Sequence, residues 1–117
     1  MTGSRKWTNK EKIEHTLLEL MHKRRIEVAH GAAEGADDIT RQVCEEHHIP
    51  CKPYPVTKED WNKQGKAAGA IRNTKMIEDF KPQLGLAFYK LGALNRGTMD
   101  CAMKIVKKGI KVLIIPD

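Results

Sequence analysis

The chain has 117 residues, of which 40% are hydrophobic and 31% are charged, a balance typical of a globular protein with a single core. No apolar run approaches the ~18 residues that a membrane-spanning helix needs, and no signal peptide is evident, so we expect a cytoplasmic protein with no membrane partner. The net charge of +6 favours an anionic partner, although a solvated basic surface accounts for it equally well.

The first half of the chain alternates predicted helices with short predicted strands. Residues 8–11 have capping-box spacing, and a helical face follows them, made of Ile13, Leu17, Leu20 and Met21. Residues 26–29 form a predicted strand, and the loop 30–37 leads into a helix marked by Ile39, Val43 and His47. Residues 49–54 form a strand whose prolines indicate a place near the sheet edge.

The second half predicts the rest of a parallel sheet. A polar loop through Trp61 precedes a helix that begins near Gly69 and offers Ile71, Met76 and Ile77 for burial. Residues 84–88 and 112–115 are apolar runs typical of strands buried on both faces, and the helix 99–108 between them ends at Gly109. Strands separated by helices predict an α/β fold over residues 1–117, one domain in three layers with a mainly parallel sheet.

Four loops combine small residues with side chains that can bind phosphate or ribose. They are residues 2–7, 30–37, 61–73 and 95–98. Small residues let backbone N–H groups approach a ligand closely, and Arg, Asn, Ser and Asp can hold it. Ligands of a parallel sheet bind beyond the carboxyl ends of the strands, so one site can receive all four loops. The sequence therefore predicts a nucleotide-binding protein.

The first loop offers Gly3, Ser4 and Arg5 as a phosphate-facing turn, with a plain turn as the alternative. Two tryptophans lie in the loops. Trp7 is a candidate for stacking on a base, as is Trp61, and filling a gap in the core is an equally good interpretation of either.

In the second loop, Gly31, Gly35 and Ala36 are expected to let the backbone pass close to the ligand. Asp37 has two interpretations of equal weight. It accepts a hydrogen bond from a ribose hydroxyl, or it caps the helix that follows. The loop has Ala32 at a position where a second glycine would be less restricted.

The last two loops supply the remaining candidates. Arg72 and Asn73 lie near the start of a predicted helix, where the helix dipole and free N–H groups favour an anion. Gly97 and Thr98 offer N–H and hydroxyl donors at another helix start, and Arg96 is a candidate clamp. Surface capping is the alternative for the Arg72 loop.

Together these motifs resemble the YpsA-related branch of the SLOG superfamily, which also contains the LOG phosphoribohydrolases and the Rossmann-like domain of DprA. The motifs are Thr-Gly-Ser-Arg-x-Trp, His-Gly-Ala-Ala-x-Gly-Ala-Asp, Trp-x3-Gly-x-Ala-Ala-Gly-x-Ile-Arg-Asn and Arg-Gly-Thr-x-Asp, in this order. The resemblance covers nearly the whole chain. It implies a Rossmann-like fold that binds a nucleotide or an ADP-ribose-like ligand, with no further cofactor. Because related LOG proteins are dimers, it also implies a homo-oligomer.

Two departures from that pattern matter. The resemblance implies an opening strand before Thr2, yet only Met1 precedes it, so either the sequence starts late or the first strand is truncated to a stub. LOG enzymes carry a glutamate three residues after the motif threonine, and Cys101 stands at that position. Asp37 and Asp100 are then the candidate catalytic residues, and hydrolysis by the LOG route is disfavoured.

Three classes of function follow. A binding module that senses or sequesters a nucleotide needs only the anion-binding loops, and we favour it. An enzyme that cleaves the N-glycosidic bond of a nucleotide needs a positioned acid. A DprA-like binder of single-stranded nucleic acid needs aromatic platforms, and the sequence has few aromatics.

The cysteines and histidines favour core packing over a metal site. Cys44, His47, His48 and Cys51 superficially resemble a zinc cluster, but the first two share a predicted helix face that packs on the sheet. Three cysteines without regular spacing indicate reduced thiols. We therefore expect no metal.

Overall fold

The computed structural model describes residues 1–117, and its strands and helices alternate along the chain. The elements are β1 (Thr2–Gly3), α1 (Lys10–Lys23), β2 (Val28–His30), α2 (Ala36–Glu46), β3 (Cys51–Pro53), α3 (Lys58–Gln64), a 3-10 turn (Gly65–Ala67), α4 (Ala68–Phe80), β4 (Gly85–Tyr89), α5 (Arg96–Lys107) and β5 (Val112–Pro116). This alternation confirms the predicted α/β class. No helix has the length and apolar character needed to cross a membrane.

The strands form two parallel ladders that lie side by side. One ladder has the order β1-β4-β5, and the other pairs β2 with β3. The amino group of Met1 joins them, since it donates a hydrogen bond of 2.6 Å to the carbonyl of Ala29 in β2. The spatial order is therefore β3-β2-β1-β4-β5, with the two-residue β1 in the middle. This is a Rossmann-like arrangement, and its first strand has two residues.

Two helices pack on each face of the strands. Helices α1 and α2 cover one face, where Trp7 meets Phe88 edge-on with ring centroids 5.4 Å apart. Helices α4 and α5 cover the other face, where Met76 and Ile105 belong to a second apolar cluster. Apolar side chains at helical spacing thus bury one stripe of each helix, which is the physical basis of the three layers.

Two sequence predictions about helix starts were wrong. Helix α1 is capped by Asn9, whose side chain accepts from the backbone of Lys12 at 3.2 Å, so the box proposed for residues 8–11 does not form. Helix α3 occupies the predicted polar loop. Its capping box joins Thr57 and Asp60, and because the helix buries no side chain, hydrophobic periodicity gave no sign of it.

Smaller differences concern exposure and length. Ile71 and Met21, predicted to be buried, are 45% and 38% exposed. The predicted strand 49–54 shortens to β3, which pairs only with β2 and therefore lies at the sheet edge as expected. Gly109 follows the end of α5 with a φ of 77°, as its predicted capping role requires.

Replacing Asn9 by alanine should lower the free energy of unfolding by about 1 kcal/mol, because the N–H of Lys12 loses its acceptor. Thr8→Ala is the matched control and should change it by less than about 0.5 kcal/mol. Urea unfolding measures both. A larger loss in the Thr8 variant would contradict the assignment of the cap.

Candidate ligand-binding site

A cleft of about 890 Å³ opens at the carboxyl ends of β1 and β4. The residues after β1 form one side, and the loop from Lys90 to Asn95 with the start of α5 forms the other. The chain runs from β1 outward to β2 and β3, and then crosses back to β4 on the other side of β1. The cleft thus lies where the strand order reverses, which is the usual ligand position in open α/β sheets.

The cleft gathers eleven of the predicted site residues, including both carboxylates proposed for catalysis. They are Gly3, Ser4, Arg5, Asp37, Trp61, Arg72, Asn73, Arg96, Gly97, Thr98 and Asp100. Four others do not line it, namely Trp7, Gly31, Gly35 and Ala36. The expectation that the four loops meet at one end of the sheet therefore agrees with the geometry for most of their side chains.

The amino end of α5 presents free backbone donors to the cleft. The N-cap residue Asn95 makes no capping hydrogen bond, because its side chain bonds to Lys90 and Ala93 instead. The first helical bond of α5 is donated by Met99. The N–H groups that precede it lack acceptors within the helix, so they and the helix dipole favour an anion at this point.

The loop that leads into that helix, from Lys90 to Asn95, is fixed by Asp117. Its carboxylate accepts hydrogen bonds from Lys90 Nζ at 2.5 Å and from the backbone N–H of Leu91 at 3.0 Å, and its own N–H donates to Tyr89. The hydrogen bond from Lys90 lowers the pKa of Asp117 below its ordinary value. These contacts hold one wall of the cleft against β5.

Arg72 uses most of its donors on the protein itself. Its Nη1 donates to the carbonyls of Gly31 and Tyr54, the latter at 3.1 Å, and its Nε donates to Asn73 Oδ1 at 2.9 Å. Burial lowers the pKa of the guanidinium, while the nearby carboxylate of Asp37 raises it. Only Nη2 has no protein partner. Helix α4 begins at Ala68, within one residue of its predicted start, and Arg72 lies in its second turn.

A polar bridge connects α4 with α5 beneath the cleft. Asn73 is buried, and its Nδ2 donates to Asp100 Oδ2 at 3.1 Å and to the carbonyl of Gly97. Lys104 also approaches Asp100 Oδ2, at 2.9 Å. Asp100 is therefore held by two partners, and Asn73 positions the wall of the cleft.

Asp37 is buried, and only one of its two carboxylate oxygens has a hydrogen-bond partner. It is 5% exposed, its Oδ2 accepts from the backbone N–H of Ala33 at 3.2 Å, and its Oδ1 has no partner. Burial raises the pKa of this carboxyl group, although Ala33, the amino terminus and the charges of His30 and Arg72 oppose the shift. A buried carboxylate oxygen without a donor is costly, and in a cleft it offers an acceptor to a ligand hydroxyl or N–H.

The glycines of the first two loops make room for protein contacts. A β-carbon at Gly3 would collide with Ala36, and one at Gly35, which has a φ of 76°, would collide with the backbone of Arg5. A β-carbon at Gly31 would lie 2.5 Å from the guanidinium of Arg72. At Gly31 and Gly35 the absence of a side chain thus lets Arg72 and the backbone of Arg5 pack closely, which is a different role from the predicted contact with a ligand. The methyl group of Ala36 packs in the core.

The two tryptophans have different roles. Trp7 is 1% exposed, and its indole N–H donates to the carbonyl of Asn9, so the stacking role proposed for it was wrong and core filling is its role. Trp61 is 42% exposed and lines the cleft.

Ser4 also has a contact within the protein. Its Oγ accepts a hydrogen bond from the backbone N–H of Lys6 at 3.1 Å.

The charge of the cleft is mainly positive. Two carboxylates line it, together with six basic side chains, Arg5, Lys6, Lys66, Arg72, Lys90 and Arg96. Sequence reasoning did not single out the three lysines. Lys66 lies within the loop 61–73 and Lys6 adjoins Arg5, whereas no sequence signal marks Lys90.

The remaining sulfur and metal candidates lie away from the cleft. Cys101 is fully buried, and burial raises the pKa of its thiol, so this position does not reach a ligand. Cys44 is in the core, while His47 contacts Glu14 at 3.1 Å. Glu14 and His47 form a group with Glu46, which Lys10 holds in an ion pair.

Fold and site define this chain as a Rossmann-like parallel α/β protein with a basic cleft at the carboxyl ends of its strands. It is 33% identical to the Gene 61 protein of Mycobacterium phage D29 over 123 aligned positions, which cover the whole chain and 94% of that protein. The chain belongs to the family of that phage protein. No profile of a known protein family matches it, and no solved structure does.

Asp37→Asn should stabilise the free protein at neutral pH. Because burial raises the pKa of Asp37 in the folded state, its contribution to stability is complete below the unfolded pKa of about 4 and is lost as the pH rises through the folded pKa. The asparagine side chain does not ionise in this range, so the variant does not lose this contribution. The difference in melting temperature between the variant and the native protein should therefore grow from pH 4 to pH 7. A variant that is less stable than the native protein only at pH 7 would contradict this.

Proposed function

We propose that the protein binds a nucleotide or a nucleotide-derived ligand of the ADP-ribose type in this cleft. The observation that supports it most directly is the uncapped start of α5, which faces basic side chains across the cleft. Backbone N–H groups and arginines are the usual donors to phosphate.

Two further features of the cleft fit the non-phosphate parts of such a ligand. The buried Oδ1 of Asp37 can accept a hydrogen bond from a ribose hydroxyl, which would supply its missing partner. The exposed ring of Trp61 offers a face on which a base can stack. The resemblance of the four loops to the YpsA-related branch of the SLOG superfamily points to the same class of ligand.

Arg5→Ala and Arg96→Ala should each weaken binding of ADP-ribose by roughly 10-fold to 150-fold, the loss expected for a charge-assisted hydrogen bond of about 1.5–3 kcal/mol. Both side chains are exposed, so their removal should leave the fold intact. Arg72 is unsuitable for this test because it supports the protein's own backbone. Isothermal titration calorimetry gives the dissociation constants.

Arg25→Ala is the matched control, since Arg25 is also exposed but precedes β2 at the opposite end of the sheet. It should bind as the native protein does. Equal affinity in all three variants, or no binding of ADP-ribose, AMP or NAD by the native protein, would overturn the proposal.

We propose that the protein is a receptor and does not turn its ligand over. Asp100 is engaged by Asn73 and Lys104, and Cys101 replaces the carboxylate that the LOG pattern would supply. N-glycosidic cleavage generally needs an acid or base that reaches the leaving group.

Purified protein should therefore leave nucleoside monophosphates, NAD and ADP-ribose intact over hours while it still binds at least one of them. Chromatography of the reaction mixture measures this. Release of free base or ribose phosphate that disappears in Asp37→Asn or Asp100→Asn would identify the chain as an enzyme.

We propose that two copies of the chain associate through the outer side of α4 and α5. Met99, Met103 and Val106 are spaced by four and three residues, so they share a face of α5, and each is at least 42% exposed. Ile71 adds an exposed apolar side chain from the neighbouring helix. An apolar stripe of this kind is typical of an interface.

Light scattering at micromolar concentrations should give a mass above that of one chain, and Met103→Lys should reduce it to one chain. His15→Lys introduces the same charge on the exposed side of α1, which packs on the other face of the sheet, and should leave the mass unchanged. A monomeric mass for the native protein at every concentration would rule out the association.

We also propose a cytoplasmic location. The thiols of Cys44, Cys51 and Cys101 are free. A hydrogen bond from Cys44 lowers the pKa of Cys51 below its ordinary value, which favours its thiolate form. A reducing compartment suits such a thiol.

A further inference from the structure

Two of the three cysteines lie side by side near the edge of the sheet. Cys44 is in the last turn of α2 and is fully buried in the apolar cluster beneath α1 and α2. Cys51 is the first residue of β3, is partly exposed, and packs against the same cluster. A hydrogen bond joins the two side chains, so the two sulfur atoms are neighbours where the helix meets the sheet.

Main-chain hydrogen bonds hold the two segments in place. The N–H of Ile49 donates to the carbonyl of Cys44 at 2.9 Å, so the chain turns back toward α2 directly after the helix ends. The N–H of Val28 donates to Pro50 at 2.9 Å, and Val28 is the partner of Cys51 in the register of β2 and β3. The position of each sulfur atom is therefore set by the fold on both sides of it.

A third side chain, His30, completes the cluster. It is buried and lies two residues after Val28, on the same face of β2. Its Nδ1 accepts from the backbone N–H of Ala32 at 2.9 Å, so the neutral ring carries its proton on Nε2. In the hydrogen bond between His30 and Cys51, the ring is therefore the donor and the sulfur is the acceptor.

These contacts give the two thiols different chemistry. The hydrogen bond from Cys44 lowers the pKa of Cys51, burial opposes that shift, and the hydrogen bond and charge of His30 lower the pKa further. The same contact with Cys51 raises the pKa of Cys44, which therefore keeps its proton. The thiolate is the nucleophilic form of cysteine, so Cys51 is the sulfur that reacts and Cys44 is the protonated neighbour.

We propose that Cys51 reacts with a hydroperoxide and that Cys44 resolves the product to a disulfide between Cys44 and Cys51. In the first step the sulfur of Cys51 takes one oxygen of the peroxide as a sulfenic acid. The O–O bond breaks, and the other oxygen leaves with a proton as water or an alcohol. In the second step the sulfur of Cys44 attacks the sulfenic sulfur, the S–O bond breaks, and the hydroxyl leaves with the proton of Cys44 as water. Two thiols are oxidised and one peroxide is reduced.

The place of Cys51 in the sheet gives a peroxide access to it. Strand β3 pairs only with β2, so its other edge has no neighbouring strand. Cys101 differs in both respects, since it is fully buried in the apolar cluster on the other face of the sheet and burial raises the pKa of its thiol. The proposal does not depend on nucleotide binding, because neither Cys44 nor Cys51 lines the cleft.

Treatment of the reduced native protein with a small molar excess of hydrogen peroxide tests the proposal without any substitution. Two of the three thiols should become resistant to alkylation, and peptide mapping by mass spectrometry should recover a link between Cys44 and Cys51. Dithiothreitol should reverse the link, and Cys101 should stay free throughout. Three free thiols after treatment, a link that includes Cys101, or a sulfonic acid on Cys51 beside a free Cys44 would overturn the proposal.

Three variants separate the roles of the thiols. Cys44→Ala should stop at the sulfenic acid of Cys51, which dimedone labels, because no neighbouring thiol can resolve it. Cys51→Ser should keep its two remaining thiols free, because Cys44 is buried and protonated. Cys101→Ala is the matched control and should form the disulfide as the native protein does.

Circular dichroism checks that each variant is folded, and the peptide map of the native protein decides the case if one is not. Oxidation of Cys44 in the Cys51→Ser variant to the same extent as in the native protein would contradict the assignment of the reactive sulfur. Absence of dimedone labelling in a folded Cys44→Ala variant would contradict the sulfenic acid step.

Discussion

The arrangement of the cleft depends on the guanidinium of Arg72. A partly buried cation needs acceptors for its buried donors, and here the carbonyls that follow β2 and β3 accept from Nη1. That requirement fixes both strand ends against α4 and demands a glycine at position 31. Through Asn73 the same network reaches Gly97 and so sets the position of α5.

The two ends of the sheet differ in the kind of surface they present. At the carboxyl ends the unsatisfied groups are polar, namely Asp37 Oδ1 and the first N–H groups of α5. At the amino ends the open surface is apolar and bordered by strand backbone. Between the two surfaces lies β1, which pairs with β4 over two residues. Polar groups without a hydrogen-bond partner are typical of ligand-binding surfaces, and in this protein they line the cleft for which we propose a nucleotide ligand.

Local pattern was enough to predict the order of strands and helices, since apolar spacing and glycine-rich loops are properties of short segments. It was not enough for contacts between distant segments. The sequence predicted Gly31 as a ligand contact, because it does not show that Arg72 packs against this residue. It gave Trp7 and Trp61 the same two interpretations, because it does not show that the ring of Trp7 packs against Phe88. Helix α3 was missed because it buries no side chain and so has no periodic signal.

The contacts of Asp117 have a consequence for biosynthesis. The loop that it holds, from Lys90 to Asn95, is translated before β5, yet its anchor is on the far side of β5 in the chain. A nascent chain that has exposed β1 through α5 to the solvent therefore carries all the basic groups of the cleft before Asp117 can contact Lys90 and Leu91. The hydrogen bonds of Asn95 to Lys90 and Ala93 can form at that stage, so the docking of β5 adds the last restraint on a loop that the start of α5 has already begun to order.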